Sequence, residues 1–453
     1  MHSNRSATVP IARTVDQTSS DSRARSHNNQ WRNLTLLLVS TLTVMAGATI
    51  APSLPAMQEQ FSGIRHADFW VQMVMTLPGL AIAVSAPIIG RFVDRHDKKL
   101  LLLYSVAGYG LLGTAAIASS HSLIALLILR FLLGLSVAGI MVTCTTLFSD
   151  YYHGPERGHY LGLQAAFGGF GGVVFIAVAN GLADVNWLYP FALYGLAFIA
   201  LPAIIVWVPK PEHTQPGHSA KTQPAGQPLS EHAAPKNTAR DIFLWGCCAL
   251  AIVEILVLYS IPVHLPFYLH SANGSLAELG QYSGYFIAYM LLVMAVTAGL
   301  YRHYQGVMRI NRLHSLGFAL LALAFTIWAI AEPLITQTQS PWFAQISVMI
   351  ILTVIGLGLG VTRPNLVTWL MSRCPAQLRG QKMGKLTSCF FIGQFIAPVV
   401  TFPLIKQSLS AKPVMAESLV VASADYPILF AALGGLCLAT AAGCMLYRNK
   451  LSP

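Results

Sequence analysis

Charge is scarce in this chain. Of its 453 residues only 10% are Asp, Glu, Lys or Arg, whereas a soluble domain carries about 25%. With 55% of positions hydrophobic and a mean hydropathy of +0.58, the composition excludes a water-soluble globule and places the chain in a lipid bilayer. Acidic residues are scarcer still, 17 against 28 Lys and Arg. Cysteine is confined to Cys144, Cys247, Cys248, Cys374, Cys389, Cys437 and Cys444, which fall within apolar runs or at their basic ends. No pair is placed for an outer-loop disulfide, so free thiols are expected. Cys247 and Cys248 have no further ligand types near them in sequence, so no metal site is expected. Also missing are a nucleophile and base pair inside the runs and any folded extramembrane domain, which argues against an enzyme or a sensor. The run Gly380-Gln-Lys-Met-Gly384-Lys385 is one residue short of a phosphate loop and lacks the hydroxyl residue after Lys. No nucleotide hydrolysis follows from it.

What the chain has instead is a succession of apolar stretches of about 20 residues, the length at which a helix crosses a bilayer. They lie at 34–57, 68–90, 99–119, 122–148, 160–182, 188–208, 242–268, 278–301, 313–332, 342–369, 381–405 and 426–447. The expectation is an all-α membrane protein of twelve transmembrane helices. The surplus of cations raises nucleic-acid binding as an alternative, but their placement argues for topology. Arg91, Arg95, Lys98 and Lys99, then Arg157, then Arg302, Arg309 and Arg312, then Arg373, Arg379, Lys382 and Lys385 all fall on one side. Arg65, Lys406 and Lys412 fall on the other. Such asymmetry in short loops puts both termini in the cytoplasm.

Six prolines among Gln, His, Thr and Ala mark 209–240 as a flexible cytoplasmic linker. It divides the chain into a bundle at 34–208 and a second at 241–447, flanked by a disordered N-terminal segment, 1–33, and a short tail, 448–453. The halves echo one another. Arg157-Gly158-x-x-x-Gly162 opens the fifth span and Arg379-Gly380-x-x-x-Gly384 the eleventh, and an equal step back from each Arg reaches Gly134 and Gly356. Glycines at this spacing serve close helix packing. Two pseudo-symmetric six-helix bundles around a central path are what a rocking carrier needs.

The hairpin after the second span reads Gly90-Arg-Phe-Val-Asp94-Arg95-His-Asp97-Lys98-Lys99. It resembles the Gly-x-x-x-Asp-Arg-x-Gly-Arg-Lys signature of the major facilitator superfamily, with Asp97 where that family has its second Gly. The resemblance runs along the chain, from Ala51-Pro-Ser-Leu-Pro55 to the last span, and is nearest to the twelve-span drug:proton antiporter branch. It implies that Gly90, Asp94 and Arg95, with Arg157 and Arg379, form a conformational gate, Asp94 and Arg95 bridging spans in the outward-open state. It also implies a role for Arg130 in Leu126-x-x-x-Arg130-x-x-Leu133-Gly134, where Leu133 replaces the family's Gln. The branch's span-five pattern is incomplete here, since Gly168 and Gly172 are followed by Ile176-Ala177.

Ionisable groups at bilayer depth cost a few kcal/mol on insertion scales and therefore ask for a function. Three stand out: Glu254, Arg130 and Arg363. Glu254 is the one acidic residue well inside an expected span, about 18–20 Å in at 1.5 Å per residue. Away from water a carboxyl favours its neutral form, so it can accept a proton on one side and release it on the other; the alternative is a Glu that only serves packing. Arg130 can link protonation to helix movement or simply pair with a buried carbonyl or carboxylate. Arg363 either touches substrate or reaches to the interface. His264 reads as a satisfied or interfacial imidazole. Candidate cavity residues are Gln72, Asn180, Gln394, Tyr285 and Tyr289, the tyrosines lying on a stripe with Tyr282 and Phe286 that serves packing equally well.

The expected function is secondary active transport without a cofactor, driven by a proton gradient: export of a small organic molecule such as a drug, toxin or siderophore by alternating access. Uptake of a metabolite, by proton symport or facilitated diffusion, is the alternative. The expected partners are that solute and the lipid of a bacterial inner membrane, with no nucleic acid, and the expected state is a monomer.

Overall fold

A backbone in hydrocarbon must satisfy every N–H and C=O within itself, and a helix does so segment by segment. The computed structural model describes residues 12–93, 95–152, 154–209, 238–271, 274–374, 379–410 and 426–446. Among them twelve helices are long and apolar enough to span a bilayer, and no strand is present. Their α-helical parts are α1 (Ala12–Ala48), α2 (Ala67–Val93), α3 (Lys98–Ala118), α4 (Leu123–Tyr151), α5 (Gly154–Val185), α6 (Leu196–Trp207), α7 (Thr238–Ser271), α8 (Ser283–Gly299), α9 (Ile310–Gln337), α10 (Pro341–Ser372), α11 (Arg379–Ser410) and α12 (Tyr426–Leu446), the first, sixth and eighth spans running over Asn28–Gln60, Tyr189–Trp207 and Leu276–Gly299. Single 3₁₀ segments, Tyr189–Gly195 and Gly274–Tyr282, lead into α6 and α8.

The expected spans match these helices to within a turn or two. One boundary needs correction. Residues 12–33, expected to be disordered, belong to α1, because no Pro or Gly interrupts the chain between Ala12 and Ala46. The linker expected at 209–240 and the tail at 448–453 lie almost wholly outside the described residues. So does Asp94. Pro52 and Pro55 break the first span after Ala48 into a 3₁₀ turn, Ala51–Ser53, and a short helix, Leu54–Gln60.

The internal repeat becomes a repeat of packing. Helix α4 lies on α2 as α10 lies on α8, and α3 meets α6 as α9 meets α12. At the first contact a side chain on Gly134 would stand 2.6 Å from the Pro78 carbonyl; at the second, one on Gly356 would stand 2.8 Å from that of Met290. The two bundles meet through α2 against α11 and α5 against α8.

We call the side carrying the α2–α3 hairpin the basic end and the opposite side the far end. At the basic end Asp97 explains its own departure from the family pattern. Its Oδ1 accepts from the N–H groups of Lys99 at 2.9 Å and Leu100 at 3.2 Å, capping α3. Lys98 pairs with Asp150 at 2.6 Å, and Lys99 donates to the Ile205 carbonyl at 2.7 Å. The hairpin thereby ties α3 to α4 and α6.

Candidate functional site

Glu254 sits on α7, 1% exposed, and its Oε2 has no hydrogen-bond partner. The cation whose charge bears on it, from beyond ion-pair distance, is Arg363 of α10, which acts also on Tyr259 five residues further along α7. Arg363 is half-buried, its guanidinium 4.9 Å from the centre of the Phe390 ring on α11. An interface cation resting on an aromatic face satisfies itself without reaching headgroups. Tyr259 reaches the opposite bundle, its hydroxyl 2.6 Å from where a side chain on Gly47 would begin. Gln394 of α11, 3% exposed, lies against Gly47 and Gly79. A phenol from α7 and an amide from α11 thus meet the first bundle at the seam, while the acid and the cation, Glu254 on α7 and Arg363 on α10, stand within the second bundle.

Arg130 belongs elsewhere. It is 1% exposed inside the first bundle, donating from Nη1 to the Tyr194 hydroxyl at 2.8 Å. The rings of Phe191 and Tyr194 lie 4.8 and 5.0 Å from its guanidinium carbon. Among the described residues no carboxylate stands within ion-pair reach of it, so aromatic faces and a phenol solvate the charge. The pairing with a buried carboxylate or backbone carbonyl, open in the sequence, is replaced by this cage. The cage is itself anchored on α1, where Tyr109 donates to the Leu42 carbonyl at 2.8 Å.

The other sequence candidates scatter. Gln72 is buried on α2 with Oε1 unpartnered. Asn180 stands at the far end of α5, where it bonds to the second bundle. Tyr289 bonds to Thr353 at 2.8 Å, within its own bundle, while Tyr285 is 44% exposed with its hydroxyl beside Gly181 of α5. His264 is buried, so it is not an interfacial imidazole; its Nε2 bonds to Thr401 at 2.7 Å, while its Nδ1 has no partner, so it is only half satisfied. Gly90, Arg95 and Arg157 lie at the basic end, both arginines exposed, and Arg379 begins α11.

Sequence reasoning missed a second buried acid. Glu332 is 4% exposed on α9, near Tyr268 and Trp328. The apolar run 313–332 ends on it, whereas the helix continues to Gln337. His314, fully buried against Phe318 and Trp369, was missed too. Its place one turn inside a basic helix start was the available signal. No group of three or more His, Cys, Asp or Glu that could hold a metal occurs among the described residues.

Two six-helix bundles, related by packing and touching along a seam with buried polar groups at mid-depth, define a membrane carrier. The chain belongs to the Major Facilitator Superfamily, whose family profile matches residues 36–398. It is similar to the multidrug resistance protein MdtG of Enterobacter lignolyticus, 24% identical over 84% of this chain and 87% of that protein. It is also similar to a gallate transporter of Pseudomonas putida, 29% identical over 57% of this chain and 62% of that protein, less than two thirds of its length. Among solved structures, a bacterial homologue of the human lysosomal transporter Spinster, in an inward-facing and occupied conformation, superposes with a TM-score of 0.70 at 14% identity, over 94% of this chain and 99% of that one.

Proposed function

We propose that this protein is a proton-coupled exporter of small organic molecules, working by alternating access in a bacterial inner membrane with the basic end facing the cytoplasm. Glu254 is the proton carrier. The observation that carries this reading is its setting: a carboxyl at mid-depth, buried, with one oxygen unpartnered and a single cation, Arg363, bearing on it. Such a group exchanges a proton for a substrate's donor or charge, because either one satisfies the same oxygen. Arg363 acts on the carboxyl through its field, from beyond ion-pair distance, and Tyr259 and Gln394 relay the change to Gly47 and Gly79 across the seam. The likeness to MdtG supports export, and one-sided loop cations support the orientation.

A second reading, uptake of an organic acid by symport, is favoured by Arg363 itself. An anion on that guanidinium is favoured when Glu254 is neutral, so anion and proton would travel together; the likeness to a gallate transporter points the same way. The test is transport in everted vesicles with Glu254→Gln beside the parent. Gradient-driven flux is expected to vanish while the protein stays folded. Unchanged pH-coupled flux removes Glu254 from the mechanism, and flux of reversed proton dependence in the parent selects symport.

A further inference from the structure

The far end of the seam is closed by a polar contact that proton coupling does not use. Asn180, near the end of α5, donates from Nδ2 to the Gln281 carbonyl at 2.6 Å and accepts at Oδ1 from the Gly284 N–H, also at 2.6 Å. The first N–H groups of a helix lack partners within it, and α8 has no side-chain cap from its own segment. Asn180 therefore caps α8 from the opposite bundle. The approach is as close as glycine permits: a side chain on Gly284 would stand 2.5 Å from Asn180 Oδ1 and 2.7 Å from Pro52 Cγ.

Beside this contact lies a cavity of about 280 Å³ with walls from both bundles, among them Pro52, Asn180, Asp184, His270, Gln281 and Ser283. Asp184, His270 and Gln281 are exposed, so the cavity admits water to the Gln281 side of the contact, while Asn180 itself is fully buried. That decides its character. A polar bridge whose groups all stay dry is costly to break, whereas one that is open to water on one side can exchange that partner for water and keeps only a modest net strength. At the same end of the other seam the rings of Phe69 on α2 and Phe402 on α11 meet edge to face, 5.3 Å apart.

We propose that Asn180 is the latch of the far-end gate: it caps α8 across the seam while that end is closed and releases it when the end opens. Two hydrogen bonds of ordinary net strength bias the closed state by roughly tenfold to a hundredfold, a size that one transport cycle can make and break.

The test reads gate position and not flux, so it stands apart from the proton scheme. Spin labels on Val185→Cys and Glu278→Cys, both exposed at the far end, report the separation of the bundles by their distance distribution in the full-length protein. The seven native thiols are buried and leave the labels selective. Asn180→Ala is expected to shift the distribution toward long distances by at least about tenfold in the ratio of open to closed. Gly284→Ala is expected to do the same from the other bundle, by wedging the contact apart. Should Asn180→Ala fail to fold, Gly284→Ala and Asn180→Asp, which keeps the acceptor and loses the donor, decide the matter with a full and a partial shift. A distribution unchanged by the variants that fold overturns the latch.

Discussion

Arg130 and Tyr194 are joined by a 2.8 Å hydrogen bond in the interior of the first bundle, where the guanidinium has aromatic faces around it and its Nη2 has no partner. A cation so placed is held by the phenol that also reaches the Ala46 carbonyl. Tyr194→Phe keeps the ring and removes the hydroxyl. Hydrogen bonds to charged groups are worth about 1.5–3 kcal/mol, and a loss of stability of that size is expected in thermal unfolding of the detergent-solubilised protein. If Arg130→Met in the Tyr194→Phe background costs as much as it does alone, the two side chains are not coupled.

Asp97→Ala removes the acceptor for two first-turn amides of α3. The expected cost is about 1 kcal/mol, concentrated locally. Hydrogen exchange at Lys99 and Leu100 is expected to accelerate, while exchange at mid-helix stays slow. Asp97→Asn, which retains an acceptor, is expected to restore most of the protection.

The paired glycines offer a symmetrical prediction. Gly134→Ala and Gly356→Ala each drive a methyl group against a carbonyl of the facing helix, at 2.6 and 2.8 Å. Overpacking of this kind costs about 1–3 kcal/mol. Gly384→Ala, with nothing within 4 Å, is expected instead to leave stability unchanged or raise it by up to about 1 kcal/mol through helix propensity. Melting temperatures of the three variants in one detergent make the comparison.

The Lys98–Asp150 pair is short, 2.6 Å, yet its side chains are 21% and 30% exposed. Partial solvation keeps such a pair to at most about 1 kcal/mol. Lys98→Met is expected to lower the melting temperature slightly at low salt and not at all near molar salt, where the screening length falls to about 3 Å. A salt-independent loss would mean that packing of the lysine stem, and not charge, is what the variant removes.

Much of this architecture was legible before any coordinates. Long apolar runs dictate spanning helices because hydrocarbon offers the backbone no partners, and the glycines at 134 and 356 announced equivalent close contacts through their equal step from Arg157 and Arg379. Glu254 was visible because a carboxylate far inside an apolar run has no inexpensive explanation. The boundary of the first helix was not legible, since a polar lead free of Pro and Gly carries no stop signal. Glu332 stayed hidden for a similar reason: an acid at the edge of a span looks the same whether the helix ends there or runs on another turn.

Composition and spacing, then, determined the class, the number of spans, the doubling of the bundle and the depth of its ionisable groups, all properties of a residue and its distance along the chain. Which group faces which was settled only in three dimensions. Depth along a helix says nothing of the direction in which a side chain points, so Arg130 and Arg363, alike in sequence as cations inside spans, part company: one enters an aromatic cage inside the first bundle, the other rests on the Phe390 ring in the second, where its charge bears on Glu254. Asn180, one polar residue among several by sequence, caps a helix of the opposite half because folding carries residues 104 apart in the chain into hydrogen-bond contact.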